Sequence, residues 1–291
     1  MIDGVFVGLT TFDIVYQVND FPAANTKVAA LSQDLFIGGP ATNAAIAYSA
    51  LGGKAALISA VGRHPITAIA REEFKRHSLE FVDLSPEFDG LPALSSVSVD
   101  KSGRRNVVSA NASRLPVSGV TAEPELCRQA RLLMVDGHAM AACMAWASTA
   151  KESGTPVVFD GGSWKDGTED LLKYVDTAIC SADFRAPGCV TEIEVAEFLE
   201  SCGVANVAIT HGPEPIRYFA AQGSGEIEVP PVEAVDTMGA GDIFHGAFCR
   251  FFSGGTDFLE SLKHAATIAS DSCRQRGTRS WMENLSAKRV E

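Results

Sequence analysis

An α/β fold with a mostly parallel central sheet is what the amino-acid pattern predicts, and three observations carry it. Short apolar runs at residues 132–136, 157–160, 178–180 and 207–210 are separated by helical stretches such as 140–153 and 191–201, which is the alternation of βαβ units. Two other segments, near 10–38 and 90–112, do not follow that alternation and are antiparallel in character, so they read as a small sheet forming a lid. The chain is 291 residues long with 46% hydrophobic residues and a mean hydropathy of +0.09, enough to bury a sizeable core and unlike a disordered chain. Length alone suggests about two domains. No Pro-, Gly- or Ser-rich linker separates two units, however, and one continuous domain over residues 1–291 is expected.

The elements follow in chain order. Residues 5–9 form a short β-rich run, and 27–37 a second extended segment reached through the turn-rich Asn19-Asp20-Phe21-Pro22. Residues 41–51 read as a helix, 55–61 as a strand and 68–77 as a helix. Residues 95–100 and 106–110 make a hairpin around Lys101-Ser102-Gly103. After the βαβ region, an apolar stretch over 243–252 stops at Ser253-Gly254-Gly255. Phe258, Leu259, Leu262, Ala265, Ala266 and Ala269 then fall at helical spacing, giving two C-terminal helices.

Charge and cysteine usage exclude several function classes. With 24 basic against 36 acidic residues the net charge is −12, so there is no general basic face for a nucleic acid or an anionic membrane. Seven cysteines, at 127, 143, 180, 189, 202, 249 and 273, include no CxxC pair and read as reduced thiols. The longest uncharged stretch, 35–53, carries Pro40 and four glycines and reads as a loop feeding a helix, not a membrane span. The opening Met1-Ile2-Asp3-Gly4 lacks the basic region of an export signal, and a cytoplasmic location is expected.

The chemistry concentrates in Val235-Asp236-Thr237-Met238-Gly239-Ala240-Gly241-Asp242. Asp236 and Thr237 can cap a helix whose first turn is Gly239-Ala240-Gly241, leaving bare backbone N–H groups at the positive end of the helix dipole. Such a turn binds anions and suits developing phosphoryl charge. Asp242, one residue further on, is placed to take a proton from a nucleophile attacking a bound phosphate. Separately, Gly38-Gly39-Pro40-Ala41-Thr42-Asn43 lets a substrate approach the backbone, with Asn43 supplying a donor and an acceptor for a hydroxyl.

The 236–242 segment closely resembles the DTxGAGD signature of the ribokinase-like, or pfkB, carbohydrate kinases. The resemblance implies a three-layer α/β/α fold with a small β-sheet lid over a sugar. It implies that Asp242 is the catalytic base and that Gly239, Ala240 and Gly241 form the anion hole. Gly38, Gly39 and Asn43 look like the N-terminal sugar-binding signature, and Asp13, after Gly8-Leu9-Thr10-Thr11-Phe12, matches the acid that binds sugar hydroxyls. Thr210 and Gly212 resemble the TxG nucleotide loop, while Asp236, Thr237 and Gly277 fall at further nucleotide-side positions. The chain departs from the family where an N-x-x-E motif organises Mg²⁺ through water. It has Ser181-Ala182-Asp183-Phe184 there, which leaves Asp183 as the candidate carboxylate. Pro213-Glu214-Pro215 also stands where a second glycine is usual.

Within the family the chain is most similar to the sulfofructose kinase branch, through GAGD-x-FHGA, Ser181 and Lys27. Lys27 and His138 are then the candidates for an anionic group on the sugar, with Ser109 and His138 standing where Asn and Arg are expected for a sulfonate. The expected activity is transfer of the γ-phosphate of ATP to a hydroxyl of a small sugar, with ATP and Mg²⁺ as cofactors and room for a monovalent cation. The expected partners are a small-molecule sugar, no nucleic acid, no membrane, and a second copy joined through the lid. Two alternatives stay open: a nucleoside kinase of the same fold, and a catalytically silent sugar-binding sensor, for which the missing N-x-x-E argues and the intact Asp242 does not.

Overall fold

The computed structural model describes residues 1–110, 115–117 and 121–288. The lid segment expected near 90–112 therefore ends in two residues, 111 and 112, that lie outside the described ones. Thirteen strands form two sheets among the described residues. The larger contains β1 (Gly4–Gly8), β4 (Ala55–Ser59), β5 (Glu80–Asp83), β8 (Leu132–Val135), β9 (Val157–Gly161), β10 (Thr177–Ser181), β11 (Asn206–His211), β12 (Glu214–Ala220) and β13 (Gly223–Ile227). Its order is β13-β12-β11-β10-β9-β8-β1-β4-β5. Every pair from β11 to β5 is parallel, and β12 and β13 close one edge as an antiparallel hairpin.

Alternation along the central strands feeds two cores. Val5 and Val7 of β1 and Phe159 of β9 face one side, which is covered by α4 (Met140–Glu152) and α6 (Glu192–Ser201). Phe6, Met134 and Val158 face the other, against α1 (Pro40–Ala50), α2 (Thr67–Arg76), α7 (Ala240–Ser253) and α8 (Phe258–Ser272). Strands buried on both faces are what helices on either side of a parallel sheet produce. Two short helices, α3 (Pro124–Gln129) and α5 (Thr168–Leu172), complete the first layer. A third C-terminal helix, α9 (Trp281–Lys288), follows the two expected ones and buries Trp281 beside Ile243.

The second sheet has the order β3-β2-β6-β7, from β2 (Thr11–Gln17), β3 (Ser32–Gly38), β6 (Leu94–Val99) and β7 (Arg105–Ser109). It is mixed: β2 runs parallel to β6, while β3 and β7 are antiparallel to their neighbours. The extended segment expected over 27–37 starts only at Ser32. Gln17, the last residue of β2, pairs with Ser32 and accepts the Leu31 N–H at 2.7 Å, so residues 27–30 lie beyond the end of β2. The Pro213-Glu214-Pro215 region, where a second glycine is usual, leads into β12, which is held between β11 and β13.

Helices α1 and α7 cross closely enough to carry the site between them. Gly246 sits at that crossing, where an added Cβ would lie 2.4 Å from the Ala44 carbonyl oxygen and 2.7 Å from the Ala47 Cβ. Gly246→Ala is expected to lower stability by about 1–3 kcal/mol through overpacking, read as a lower denaturation midpoint with an unchanged slope. An unchanged midpoint would show that the two helices separate at no cost.

Candidate active site

The strand order reverses at β1. From it the chain steps to β4 and β5 on one side and to β8–β11 on the other. A crevice at such a switch point, at the C-terminal ends of parallel strands, is where open α/β sheets bind ligands. Asp136 follows β8 at this point and is almost fully buried. Its carboxylate accepts the backbone N–H groups of Leu9 (2.8 Å), Ala41 (3.1 Å) and His138 (2.9 Å), which joins the end of β1, the start of α1 and the loop after β8. Gly39, the N-cap of α1, has φ of 101°, and a Cβ there would meet the Leu9 carbonyl oxygen at 2.2 Å. Only glycine allows this close turn.

Two cavities open along the crevice. The smaller, of about 340 Å³, lies under the second sheet and is bordered by Asp13, Gly38, Gly39, Asn43, Gly239 and Asp242 among others. Strand register sets its roof, because Phe36, Asp13, Ser95 and Ser109 pair in one row across β3, β2, β6 and β7 and all four border the cavity. Burial raises the Asp13 pKa, opposed by hydrogen bonds from Thr11 and Ser95. Among the described residues, no Lys, Arg or His borders this cavity.

The larger cavity, of about 600 Å³, runs over the ends of β9–β11. Thr210, Gly212, Thr237, Ala240 and Gly241 border it, as do apolar residues including Ile216, Val229 and Ala266. Asp242 borders both cavities. It lies in the first turn of α7, whose N-cap Gly239 is left-handed with φ of 68°, and the first-turn N–H groups of a helix have no intrahelical partner. The Asn43 Nδ2 donates to Asp242 Oδ2 at 2.7 Å. The Asp242 carboxyl is nevertheless pushed up to about 7 by burial first and by the charge of Asp160 next, against the Asn43 hydrogen bond and His245.

The residues singled out in the sequence separate into three groups. Asp13, Gly38, Gly39, Asn43, Gly239 and Asp242 converge on the smaller cavity, and Thr210, Gly212, Thr237, Ala240 and Gly241 on the larger. Asp236 and Gly277 border neither. Asp236 instead accepts from the Met238 N–H and the Gly277 N–H, both at 2.9 Å, and so ties the loop before α7 to the segment after α8. Lys27, His138 and Asp183 also border neither cavity. Lys27 is exposed in the coil before β3, and Asp183 is exposed with its N–H given to Ser181 Oγ. The His138 pKa is lowered, chiefly by the protein that desolvates its ring and against the pull of Asp136, which weakens it as an anion ligand.

Three residues that the sequence reading missed take part. Asp160, at the end of β9, borders the larger cavity, and its Oδ2 lies 3.5 Å from His245 Nδ1. Burial raises the Asp160 pKa, opposed by His245. His245 Nδ1 also lies 2.8 Å from the Gly241 carbonyl oxygen and Nε2 3.1 Å from that of Ile179, fixing the first turn of α7 to β10. Arg279 bonds the Asn43 Oδ1. A short apolar strand ending in Asp was the available signal for Asp160; His245 stood within GAGD-x-FHGA without a role of its own, and nothing local marked Arg279. In chemical terms, two cavities meet at one carboxylate in the first turn of a helix, where unpaired backbone N–H groups suit an anion.

Comparison with known proteins agrees with this geometry. The profile described as pfkB family carbohydrate kinase matches residues 1–285. A ribokinase of Haemophilus influenzae is 23% identical over 286 residues, covering 94% of this chain and 93% of its own. An ATP-dependent ribose-1-phosphate kinase of Halopiger xanaduensis is 25% identical over 281 residues, covering 96% and 95%. Among solved structures, a putative ribokinase II from E. coli in complex with ATP and Mg²⁺ superposes with a TM-score of 0.80 at 19% identity, covering all of both chains.

A raised carboxyl pKa costs stability whenever the folded state must hold the charge. The Asp242 contribution is fully present below its ordinary value of 3.8 and is lost as pH rises through about 7. Asp242→Asn removes that loss and keeps an acceptor for Asn43. At pH 8 the variant is expected to melt about 2–4 °C above the parent, a gain on the order of 1 kcal/mol, and the gap should close toward pH 4. Equal melting temperatures across this range would mean that Asp242 ionises as an ordinary carboxylate.

Proposed function

The chain belongs to the pfkB family of carbohydrate kinases, and from that premise we propose that it transfers the γ-phosphoryl group of ATP to a primary hydroxyl of a small neutral sugar. The observation that carries this reading is the single carboxylate, Asp242, in the wall shared by both cavities. The larger cavity takes ATP, with the base against its apolar side and the phosphates toward Thr210, Gly212 and the start of α7. The smaller cavity takes the sugar, whose hydroxyls meet Asp13, Asn43 and the Ser95–Ser109 pair. Asp242 accepts the hydroxyl proton as the sugar oxygen attacks the γ-phosphorus, and ADP leaves. The Gly241 N–H then faces the charge that develops on the transferred phosphoryl oxygens, beside the Ala240 N–H, which also reaches the Thr237 carbonyl oxygen at 3.3 Å.

Among the described residues there is no cluster of three or more acidic, His or Cys side chains that would hold a metal ion by themselves. That fits Mg²⁺ carried mainly by phosphate oxygens and water, with the Asp160 carboxylate facing the same cavity to receive its waters. When bound, the ion neutralises phosphate charge. A neutral sugar is favoured because the smaller cavity offers carboxylates, hydroxyls and an amide but no cation among its described residues. An anion there would be desolvated against Asp13 and Asp242. Lys27, exposed and outside the cavity, does not alter that balance.

The outer face of the lid supports a further part of the reading. Leu35, Ile14, Ser96 and Val108 form the row opposite to the cavity, and Leu35 and Val108 are exposed. A second copy packed on this face is proposed as the homodimer. No helix among the described residues is long and apolar enough to cross a membrane, and a cytoplasmic enzyme is proposed.

A panel of neutral sugars, sugar phosphates, sulfosugars and nucleosides, scored for ADP formation, tests the substrate class. A neutral pentose or hexose is expected to give the highest kcat/KM, and a sulfosugar, sugar phosphate or nucleoside in first place overturns the neutral-sugar reading. With the best substrate, Asp242→Asn is expected to lower kcat by about 10²–10⁴-fold with little change in ATP affinity. Near-normal turnover would remove Asp242 from the role of base.

A further inference from the structure

Asn43 can orient the base only if its own amide is held one way round. An asparagine side chain is nearly symmetric in shape, and a half-turn about its last bond exchanges a donor for an acceptor. In one orientation the Nδ2 group donates to Asp242, and in the other a carbonyl oxygen faces a carboxylate. The first is the observed one, with 2.7 Å between Asn43 Nδ2 and Asp242 Oδ2.

The reason lies 236 residues further along the chain. Arg279 Nη1 donates to Asn43 Oδ1 at 2.9 Å. A guanidinium has donors and no acceptor, so it tolerates only the oxygen of Asn43 on its side, and the amide nitrogen must face Asp242. Arg279 is itself fixed on three further sides. Its Nε donates to Glu73 Oε1 of α2 at 2.7 Å, its Nη2 to the Ile37 carbonyl oxygen of β3 at 2.6 Å, and its Nη1 also to Thr278 Oγ1 at 2.8 Å. The ion pair with Glu73 is mostly shielded, with side-chain exposures of 20% and 17%. The chain of bonds Glu73–Arg279–Asn43–Asp242 thus joins α2, the segment before α9, α1 and α7, and it anchors the lid strand β3 beside Gly38.

We propose that Arg279 is a positioning residue for phosphoryl transfer, holding the Asn43 amide so that its N–H₂ group faces Asp242, and that it touches neither sugar nor nucleotide. Arg279 borders neither cavity. The inference rests on the reading of Asp242 as the base. The groups that bear on Asp242 are Asn43 and Arg279 from one side, Asp160 from β9, Asp136 after β8 and His245 on its own helix. Of these, only the hydrogen bond from Asn43 depends on Arg279 for its sense. Losing it removes an influence that lowers the Asp242 pKa, so the midpoint of the acidic limb moves to higher pH.

The test is a double-mutant cycle on the full-length enzyme with Arg279→Met and Asn43→Ser, read in kcat, KM for the sugar, and the pH profile of kcat/KM. Arg279→Met is expected to lower kcat about ten- to a hundredfold at pH 7, with a smaller change in KM and the acidic limb displaced upward. In the Asn43→Ser background the same change should cost under about threefold. Arg279→Lys, which keeps a cation and a donor, is expected to recover part of kcat and return the limb toward the parent position. Should Arg279→Met fail to fold, the Arg279→Lys and Asn43→Ser pair completes the cycle. Additive losses, or a lower melting temperature with an unmoved pH profile, overturn the proposal. If Asp242→Asn stays active, the reading of the base has failed instead, whatever the cycle gives.

Discussion

The site depends on the buried carboxylate of Asp136. A charge with almost no exposure is tolerable only when donors replace its water, and here three backbone N–H groups do so. Those donors come from the end of β1, the first turn of α1 and the loop after β8, the three segments that meet where the strand order reverses. One side chain therefore sets the relative position of the Gly38-Gly39 turn and the sheet. Gly8 is the complement of this arrangement, since a Cβ there would lie within 2.2 Å of the Asp136 carboxylate carbon and oxygens. From the α1 start so placed, Asn43 lies one turn along and reaches Asp242 across the α1–α7 crossing.

Three acids, Asp136, Asp160 and Asp242, gather at one end of a chain that already carries a net charge of −12. Burial first, and then the charges of neighbouring acids, raises the pKa of both Asp160 and Asp242, which works against folding at neutral pH. The same arrangement serves a proton acceptor, because a carboxyl that titrates close to neutral pH is matched to accepting a proton there. The local compensation is directional, made of the α7 helix end, His245 and the Arg279–Asn43 bond, and Asp242 still borders both cavities. On the proposed reading of Asp242 as the base, the stability given up at this end of the sheet is what its tuning requires.

Much of the site was legible because it is local in sequence. The run 236–242 places cap, glycine turn and acid within one helix start, and Gly38-Gly39-Pro40 with Asn43 does the same for α1. Where a role needed a side chain to reach a cavity from outside such a turn, local pattern was a poor guide. Lys27 is a candidate for an anionic group on the sugar through the family resemblance, yet β3 begins five residues later, at Ser32, and the lysine stays exposed in coil. Asp183 follows β10 as expected but turns to solvent, while the carboxylate that does border the larger cavity, Asp160, ends the neighbouring strand β9. The hairpin β12–β13 was hidden by Pro213 and Pro215, which flank the first residue of β12, ahead of the ladder with β13 that begins at Ile216.

The lid shows the same limit in another form. Its sheet presents Phe36, Asp13, Ser95 and Ser109 to the cavity and Leu35, Ile14, Ser96 and Val108 to the other side, so neither row is apolar or polar throughout. Period-two alternation in the sequence reveals that two faces exist, but it cannot say which one turns inward. That choice is made by register, and the register of β2 is fixed by pairing with β3 and β6 on either side. Arg279 is the extreme case. Its partners at positions 37, 43 and 73 lie more than two hundred residues away, and its effect on Asn43 comes from a chemical property that no spacing encodes: a guanidinium can only donate, so it dictates which end of a distant amide faces Asp242.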